Sequence, residues 1–219
     1  MTTAYDGARD AVAAASRRLA DAGLLVGTAG NVSVRGDGWV AVTATGVVLA
    51  DCTAEHVSVV ADDGSLLAGT LAPTSELALH QGVYRTTATG AVVHTHAPFS
   101  TAVACVLDEL PVLHYQQLLL GGAIAVAPYA TFGSDDLAAH VRDALAGRQA
   151  ALMANHGSVA VGADLDAAVE HALLLEWLCQ LQHRASALGT PRVLTEAQQT
   201  DVIEAAIRLR YGTTQENPT

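Results

Sequence analysis

The sequence predicts a single layered domain of the α/β or α+β class, a sheet of short strands covered by four or five helices. Three observations lead there. Short β-rich runs bounded by Gly, Asp and Asn turns recur from residue 31 to residue 161. Stretches with helical caps and amphipathic composition lie before, between and after them. Finally, 219 residues with 51% apolar content build one well-buried domain but are short for two.

Residues 10–25 have the composition of an amphipathic helix ending near Gly23. The runs 31–34, 39–43 and 56–60 read as strands, with Gly36-Asp37-Gly38 and Asp62-Asp63-Gly64 as turns. Pro73-Thr74-Ser75-Glu76 looks like a helix start capped by Ser75 or Thr74, the helix running to about Arg85. The apolar run Ala91-Val92-Val93 continues as a strand into His94-Thr95-His96, and 124–127 is another short strand. Ser134-Asp135-Asp136 opens a helix that should stop near Gly147, its acidic side chains favouring the positive helix end. Residues 150–154 and 158–161 are strands around the turn Asn155-His156-Gly157. Asp164 caps a long helix ending at Gly189-Thr190-Pro191, and Thr195 with Gln198 forms a capping box for a last helix to about Arg210. The domain thus covers residues 1–211, and the polar stretch 212–219 is expected to be a flexible tail.

Composition excludes several functions. A net charge of −11 disfavours nucleic acid and anionic membranes as partners. No apolar stretch reaches the ~18 residues needed to span a bilayer, and the start has no basic segment followed by an apolar block. A cytoplasmic protein is expected. Cys52, Cys105 and Cys179 are odd in number and widely spaced, so they read as small buried residues, not as a disulfide framework. All eleven basic residues are arginine. Without lysine there is no Schiff base and no P-loop lysine, so a carbanion or enolate would need another electron sink, for which a metal ion is the natural candidate.

Two groups of residues carry chemistry. On a strand, His94 and His96 project from one face two residues apart. An isolated pair of this kind reads as solvated, but His156 at a tight glycine turn offers a third imidazole. Three histidines with an open fourth position make a catalytic zinc pattern. Glu76, in a segment with few other charges, is the carboxylate that could serve as ligand, base or both. His80, four residues on, shares its helix face and reads as a packing or supporting residue. His56, His140, His171 and His183 read as structural or solvated, while His114 beside Tyr115 is left open. The second group is Gly27-Thr28-Ala29-Gly30-Asn31-Val32-Ser33, with Thr45-Gly46 and Thr74-Ser75. Glycines expose backbone N–H groups and hydroxyls add donors, which together can cradle a phosphate without lysine.

In this order and spacing, residues 27–35, Pro73-Thr74-Ser75-Glu76, His94-Thr95-His96 and Asn155-His156-Gly157 resemble the class II aldolase/adducin family. Leu113-His114-Tyr115 and residues 127–133 are similar to its branch that cleaves L-fuculose 1-phosphate. The resemblance runs from about residue 5 to Tyr211. It implies a central, mostly antiparallel sheet flanked by helices, and a C4 homotetramer with active sites between subunits. His94, His96 and His156 would bind one Zn²⁺ per subunit, with Glu76 as metal-adjacent acid/base. Gly30, Asn31, Thr45, Gly46, Thr74 and Ser75 would hold the phosphate of a small sugar phosphate. Tyr115 of an adjacent subunit would protonate the aldehyde oxygen, and Tyr211 would help close the site. The implied reaction is reversible cleavage of a ketose 1-phosphate to dihydroxyacetone phosphate and an aldehyde through a metal-stabilised enediolate. The same fold would also serve a pentulose-phosphate 4-epimerase, a methylthioribulose-phosphate dehydratase or a phosphotetronate decarboxylase. A non-enzymatic adducin-like assembly domain fits less well, because the histidines and Glu76 are intact.

Overall fold

The computed structural model describes residues 4–212, so the expected tail falls outside them except for Gly212. Helix α1 (Ala4–Asp21) leads into strands β1 (Asn31–Gly36), β2 (Trp39–Thr43), β3 (Val57–Ala61) and β4 (Leu66–Ala68). Then come α2 (Leu77–Thr86), β5 (Ala91–Thr95), α3 (Pro98–Ala104), β6 (Glu109–Leu110), a 3₁₀ turn (Tyr115–Leu120) and β7 (Ile124–Ala127). The chain finishes with α4 (Asp135–Ala144), β8 (Ala150–Met153), β9 (Gly157–Gly162), α5 (Leu165–Leu188) and α6 (Glu196–Leu209). The strands form one sheet in the order β4-β3-β2-β1-β5-β9-β8-β7-β6, in which only β7 and β8 pair parallel. The single-domain, mostly antiparallel α/β architecture is the one expected.

Helices cover both faces of the sheet. Val12 and Leu19 of α1 and Leu175 and Leu178 of α5 pack with Val32 and Val93 on one face. Leu79 and Val83 of α2 and Leu137 and Val141 of α4 pack with Val40, Val92 and Val159 on the other. Burial on both faces explains why the strands read as nearly continuous apolar runs. It also makes their polar interruptions conspicuous. Strand alternation sends Asn31 and Ser33 of β1 and His94 of β5 to the α2 face, and all three are buried.

Several boundaries differ from expectation. Helix α1 begins at Ala4, not Asp10, and Tyr5 packs edge-on against Trp39 with ring centroids 5.3 Å apart. The third strand starts at Val57 because His56 closes a 3₁₀ turn, its Nδ1 accepting the Thr53 N–H at 3.1 Å. Neither Ser75 nor Thr74 caps α2. Glu76 holds the cap position without a side-chain cap bond, and the Thr74 hydroxyl accepts the Glu76 N–H at 3.2 Å. Helix α3, not expected from the sequence, has a remote cap: Glu176 of α5 accepts the N–H groups of Phe99 and Ser100 at 2.8 and 2.7 Å. Strands β4 and β6, three and two residues long, are too short to show a period. The caps expected at Ser134, Asp164 and Thr195 are all present. Cys52 and Cys179 are free and buried, whereas Cys105 is free and exposed, contrary to expectation, beside the Asn155 amide at 3.5 Å. No described helix is long and apolar enough to cross a membrane.

Candidate active site

Three imidazoles meet where β5 ends and the β8–β9 turn begins. His94 is the last-but-one residue of β5, His96 follows the strand, and His156 lies in the turn after Asn155, whose φ is 55°. The turn is tight: a Cβ on Gly157 would lie 2.3 Å from the Thr95 carbonyl oxygen and 3.2 Å from His96 Cδ2. The ring centroids are 4.8–4.9 Å apart, and the potential ligand atoms of the three residues all lie within 4.8 Å of one another.

The tautomer of His94 is set from outside the cluster. Its Nδ1–H donates to the Ser158 carbonyl at 2.9 Å, which leaves a lone pair on Nε2 facing inward. That Nε2 is 3.0 Å from His96 Nε2 and 3.2 Å from Glu76 Oε2, and Glu76 Oε1 is 3.6 Å from His156 Nε2. Burial pulls His96 down to about 4 and also lowers His156, so both rings are neutral near pH 7. Burial pushes the Glu76 carboxyl up, but the Asn31 amide and a positive charge placed on His94 or His156 outweigh it and hold the group well below the usual carboxylate range, so a cation beside the carboxylate is favoured. Converging lone pairs beside a carboxylate whose Oε1 has no hydrogen-bond donor repel one another unless a cation lies between them. The donor set therefore fits a metal ion.

The cluster opens into a cleft of about 300 Å³. Gly30, Asn31, Thr45, Gly46, Thr74 and Ser75, the expected phosphate group, all line it with Glu76, His96 and His156. His94 is fully buried behind them. A bridge between Ala44 and Pro73 and the Thr45 N–H bond to the Ala72 carbonyl (3.1 Å) draw the two hydroxyl-rich pieces together. Gly30 has φ +95°, and a Cβ there would meet the His94 carbonyl oxygen at 2.9 Å. Among the described residues no arginine lines the cleft. The Asn31 amide is engaged below the floor, its Nδ2 donating to Glu76 Oε2 at 2.9 Å.

Tyr115 and Tyr211 are not part of this cleft. Their hydroxyls meet at 3.2 Å, and both side chains are exposed beside an apolar groove formed with α6. Tyr129 and Phe132, at the cleft rim and 64% and 66% exposed, were not singled out as site residues. Their signal is the aromatic pair in the glycine-ended loop 128–133, where a Cβ on Gly133 would press within 3.0 Å of the Ser75 carbonyl oxygen. His80 is fully buried and bonded on both ring nitrogens, so it does more than pack. His140 and His171 bond backbone carbonyls, in keeping with structural roles.

The profile of the Class II Aldolase and Adducin N-terminal domain matches residues 10–183. A 5-methylthioribulose-1-phosphate/5-deoxyribulose-1-phosphate aldolase of Rhodospirillum rubrum is 36% identical over 192 residues, covering 87% of this chain and 86% of its own. The L-fuculose phosphate aldolase of Escherichia coli K12 is 38% identical over 185 residues, covering 83% and 86%. Among solved structures, an L-fuculose 1-phosphate aldolase superposes with a TM-score of 0.87 at 28% identity, over 94% of this chain and 97% of its own. The L-fuculose-1-phosphate aldolase of Thermus thermophilus gives 0.73 at 30% identity, over 84% and 97%. On these grounds the chain belongs to the class II aldolase and adducin N-terminal domain family, and within it stands with the aldolases, which are lyases.

Proposed function

We propose that this chain is a zinc-dependent aldolase that reversibly cleaves a ketose 1-phosphate, L-fuculose 1-phosphate or a similar sugar, to dihydroxyacetone phosphate and an aldehyde. The observation that carries this reading is one cleft in which a lysine-free anion cradle faces three histidines and an ionised carboxylate. His94, His96 and His156 would hold one zinc per subunit, with Glu76 beside it. When bound, the ion supplies Lewis-acid polarisation of the substrate carbonyl. Backbone N–H groups and hydroxyls at Gly30, Thr45, Gly46, Thr74 and Ser75 receive the phosphate, with Asn31 at the cradle floor. In the condensation direction Glu76 removes the proton from the nucleophilic carbon, and Tyr115 gives one to the aldehyde oxygen. Cleavage reverses both transfers.

Tyr115 lies outside the cleft of its own chain, which supports a homotetramer whose sites are completed by an adjacent copy, with Tyr211 helping to close them. Tyr129 and Phe132 at the rim suit an aldehyde ending in an apolar group. The 5-deoxy and 5-methylthio sugars in the name of the Rhodospirillum rubrum relative support that extension. The test combines elemental analysis of the purified protein with dihydroxyacetone phosphate release from a panel of ketose 1-phosphates. Zinc near one equivalent and release from a deoxy- or methylthio-ketose phosphate are expected. Conversion of a ketose 1-phosphate without dihydroxyacetone phosphate would instead mark an epimerase or dehydratase.

A further inference from the structure

A line of buried polar groups runs from Glu76 into the core between β1 and α2, away from the cleft. Asn31 Nδ2 donates to Glu76 Oε2 at 2.9 Å, and Asn31 Oδ1 is 2.5 Å from His80 Nε2. His80 Nδ1 is 2.6 Å from Ser33 Oγ, which lies 2.7 Å from the Tyr84 hydroxyl. All five side chains are buried, His80 and Ser33 completely.

The spacing follows from backbone geometry. Glu76, His80 and Tyr84 are four residues apart along α2 and its cap, a rise of about 6 Å per step. Asn31 and Ser33 are two apart on β1, a rise of about 6.6 Å. The two periods nearly match, so polar residues on a strand and a helix can interleave for several steps.

The donors can be assigned by elimination. An ionised carboxylate only accepts, so Asn31 turns its NH₂ toward Glu76 and its carbonyl toward His80. His80 must then carry its proton on Nε2 and donate to Asn31 Oδ1. Its Nδ1 is left as an acceptor, so Ser33 donates to it and Tyr84 donates to Ser33. Every donation points toward Glu76. Turning the Asn31 amide over would set its carbonyl against the carboxylate and reverse the whole line.

Resting on the reading of Glu76 as acid/base, we propose that His80 is a positioning residue: its Nε2–H fixes the Asn31 amide, which holds Glu76 Oε2 as an acceptor and leaves Oε1 open toward the histidine cluster. Ser33 and Tyr84 in turn fix the His80 tautomer. The arrangement resembles the outer partners of metal-ligand histidines, but it acts on the carboxylate. Loss of such an orienting partner typically costs about 10- to 100-fold in activity.

The test compares His80→Leu, which loses both nitrogens, with His80→Gln, whose amide can donate from the Nε2 position, in the full-length zinc-loaded protein. Expected for His80→Leu is a kcat about 10- to 100-fold lower, with KM changed less than about threefold and zinc content retained. His80→Gln should recover most of the lost kcat. Ser33→Ala, a smaller change less prone to unfolding, should lower kcat a few-fold without moving KM. Nitrogen-15 histidine spectra of the wild type, with the His80 signal identified by its loss in His80→Gln, should show the Nε2–H tautomer. An Nδ1–H tautomer, equal kcat losses in the leucine and glutamine variants, or an effect confined to KM overturns the proposal. If no ketose 1-phosphate yields dihydroxyacetone phosphate yet the Nε2–H signal is present, the hydrogen-bond line stands and the aldolase reading falls.

Discussion

Replacing Gly157 by alanine should disturb the histidine cluster without removing any of its nitrogens. The added Cβ would lie 2.3 Å from the Thr95 carbonyl oxygen, and the contact must open by about 0.7 Å to reach even 3.0 Å, the lower limit of real Cβ contacts. The obstacle is backbone, so no rotamer change relieves it. Thr95 pairs with Ser158 at the end of the β5–β9 ladder, which places the forced separation between the strand carrying His94 and the turn carrying His156. Ser158, whose carbonyl sets the His94 tautomer, moves with it. Overpacking of this kind costs about 1–3 kcal/mol, and for a chain of this length each kcal/mol lowers Tm by roughly 2–4 °C. Displacement approaching 1 Å at the cluster is expected to cost on the order of 100-fold in kcat/KM. Thermal unfolding, zinc titration against a chelator of known affinity and steady-state cleavage each read one part of this. A Gly157→Ala protein with wild-type zinc affinity and kcat/KM would refute the argument that Gly157 sets the spacing of the imidazoles.

Other outcomes follow from the same geometry. His94→Ala should lose metal and activity together, and full activity in a metal-free variant would sink the assignment. Glu76→Gln keeps the shape and an acceptor for Asn31 but loses the proposed base, so kcat should fall about 10²- to 10⁴-fold while metal content, measured by elemental analysis, is unchanged. Stability of the metal-stripped protein should fall on acidification. Burial lowers His80 to about 3 from an ordinary 6.5, so above pH 6.5 it is neutral in both folded and unfolded chains. Below that pH the unfolded chain takes up a proton that the folded chain refuses, and stability declines by up to about 1.4 kcal/mol per unit until the folded group also protonates near pH 3. His96, lowered to about 4, acts in the same direction. Urea midpoints at pH 7 and pH 5 check this, and a flat profile would contradict it.

The histidine cluster and the hydroxyl- and glycine-rich cleft lining could be read from the sequence because each comes in short local pieces. His94 and His96 share a strand face, Thr74 to Glu76 adjoin a helix start, and glycines mark the backbone turns. What could not be read depends on pairing between distant segments. Asn31 and Glu76 are 45 residues apart, and nothing local in β1 or α2 announces that they pack face to face. His80 could be placed on the Glu76 face of its helix, but its partners come from the strand. Helix α3 was missed for a similar reason, since its N-terminal donors are bound by a carboxylate 76 and 77 residues away. The Tyr115–Tyr211 contact spans 96 residues and likewise leaves no local trace.

The arginine-free lining of the cleft, in a chain with no lysine, bears on the product as well as on the phosphate. Under the aldolase reading each cleavage releases an aldehyde inside that cleft, and aldehydes condense with primary amines. A cradle made of amide N–H groups and hydroxyls offers the departing product no such amine. The donors proposed for the anion thus leave the site no amine side chain for its own product to modify or cross-link, turnover after turnover.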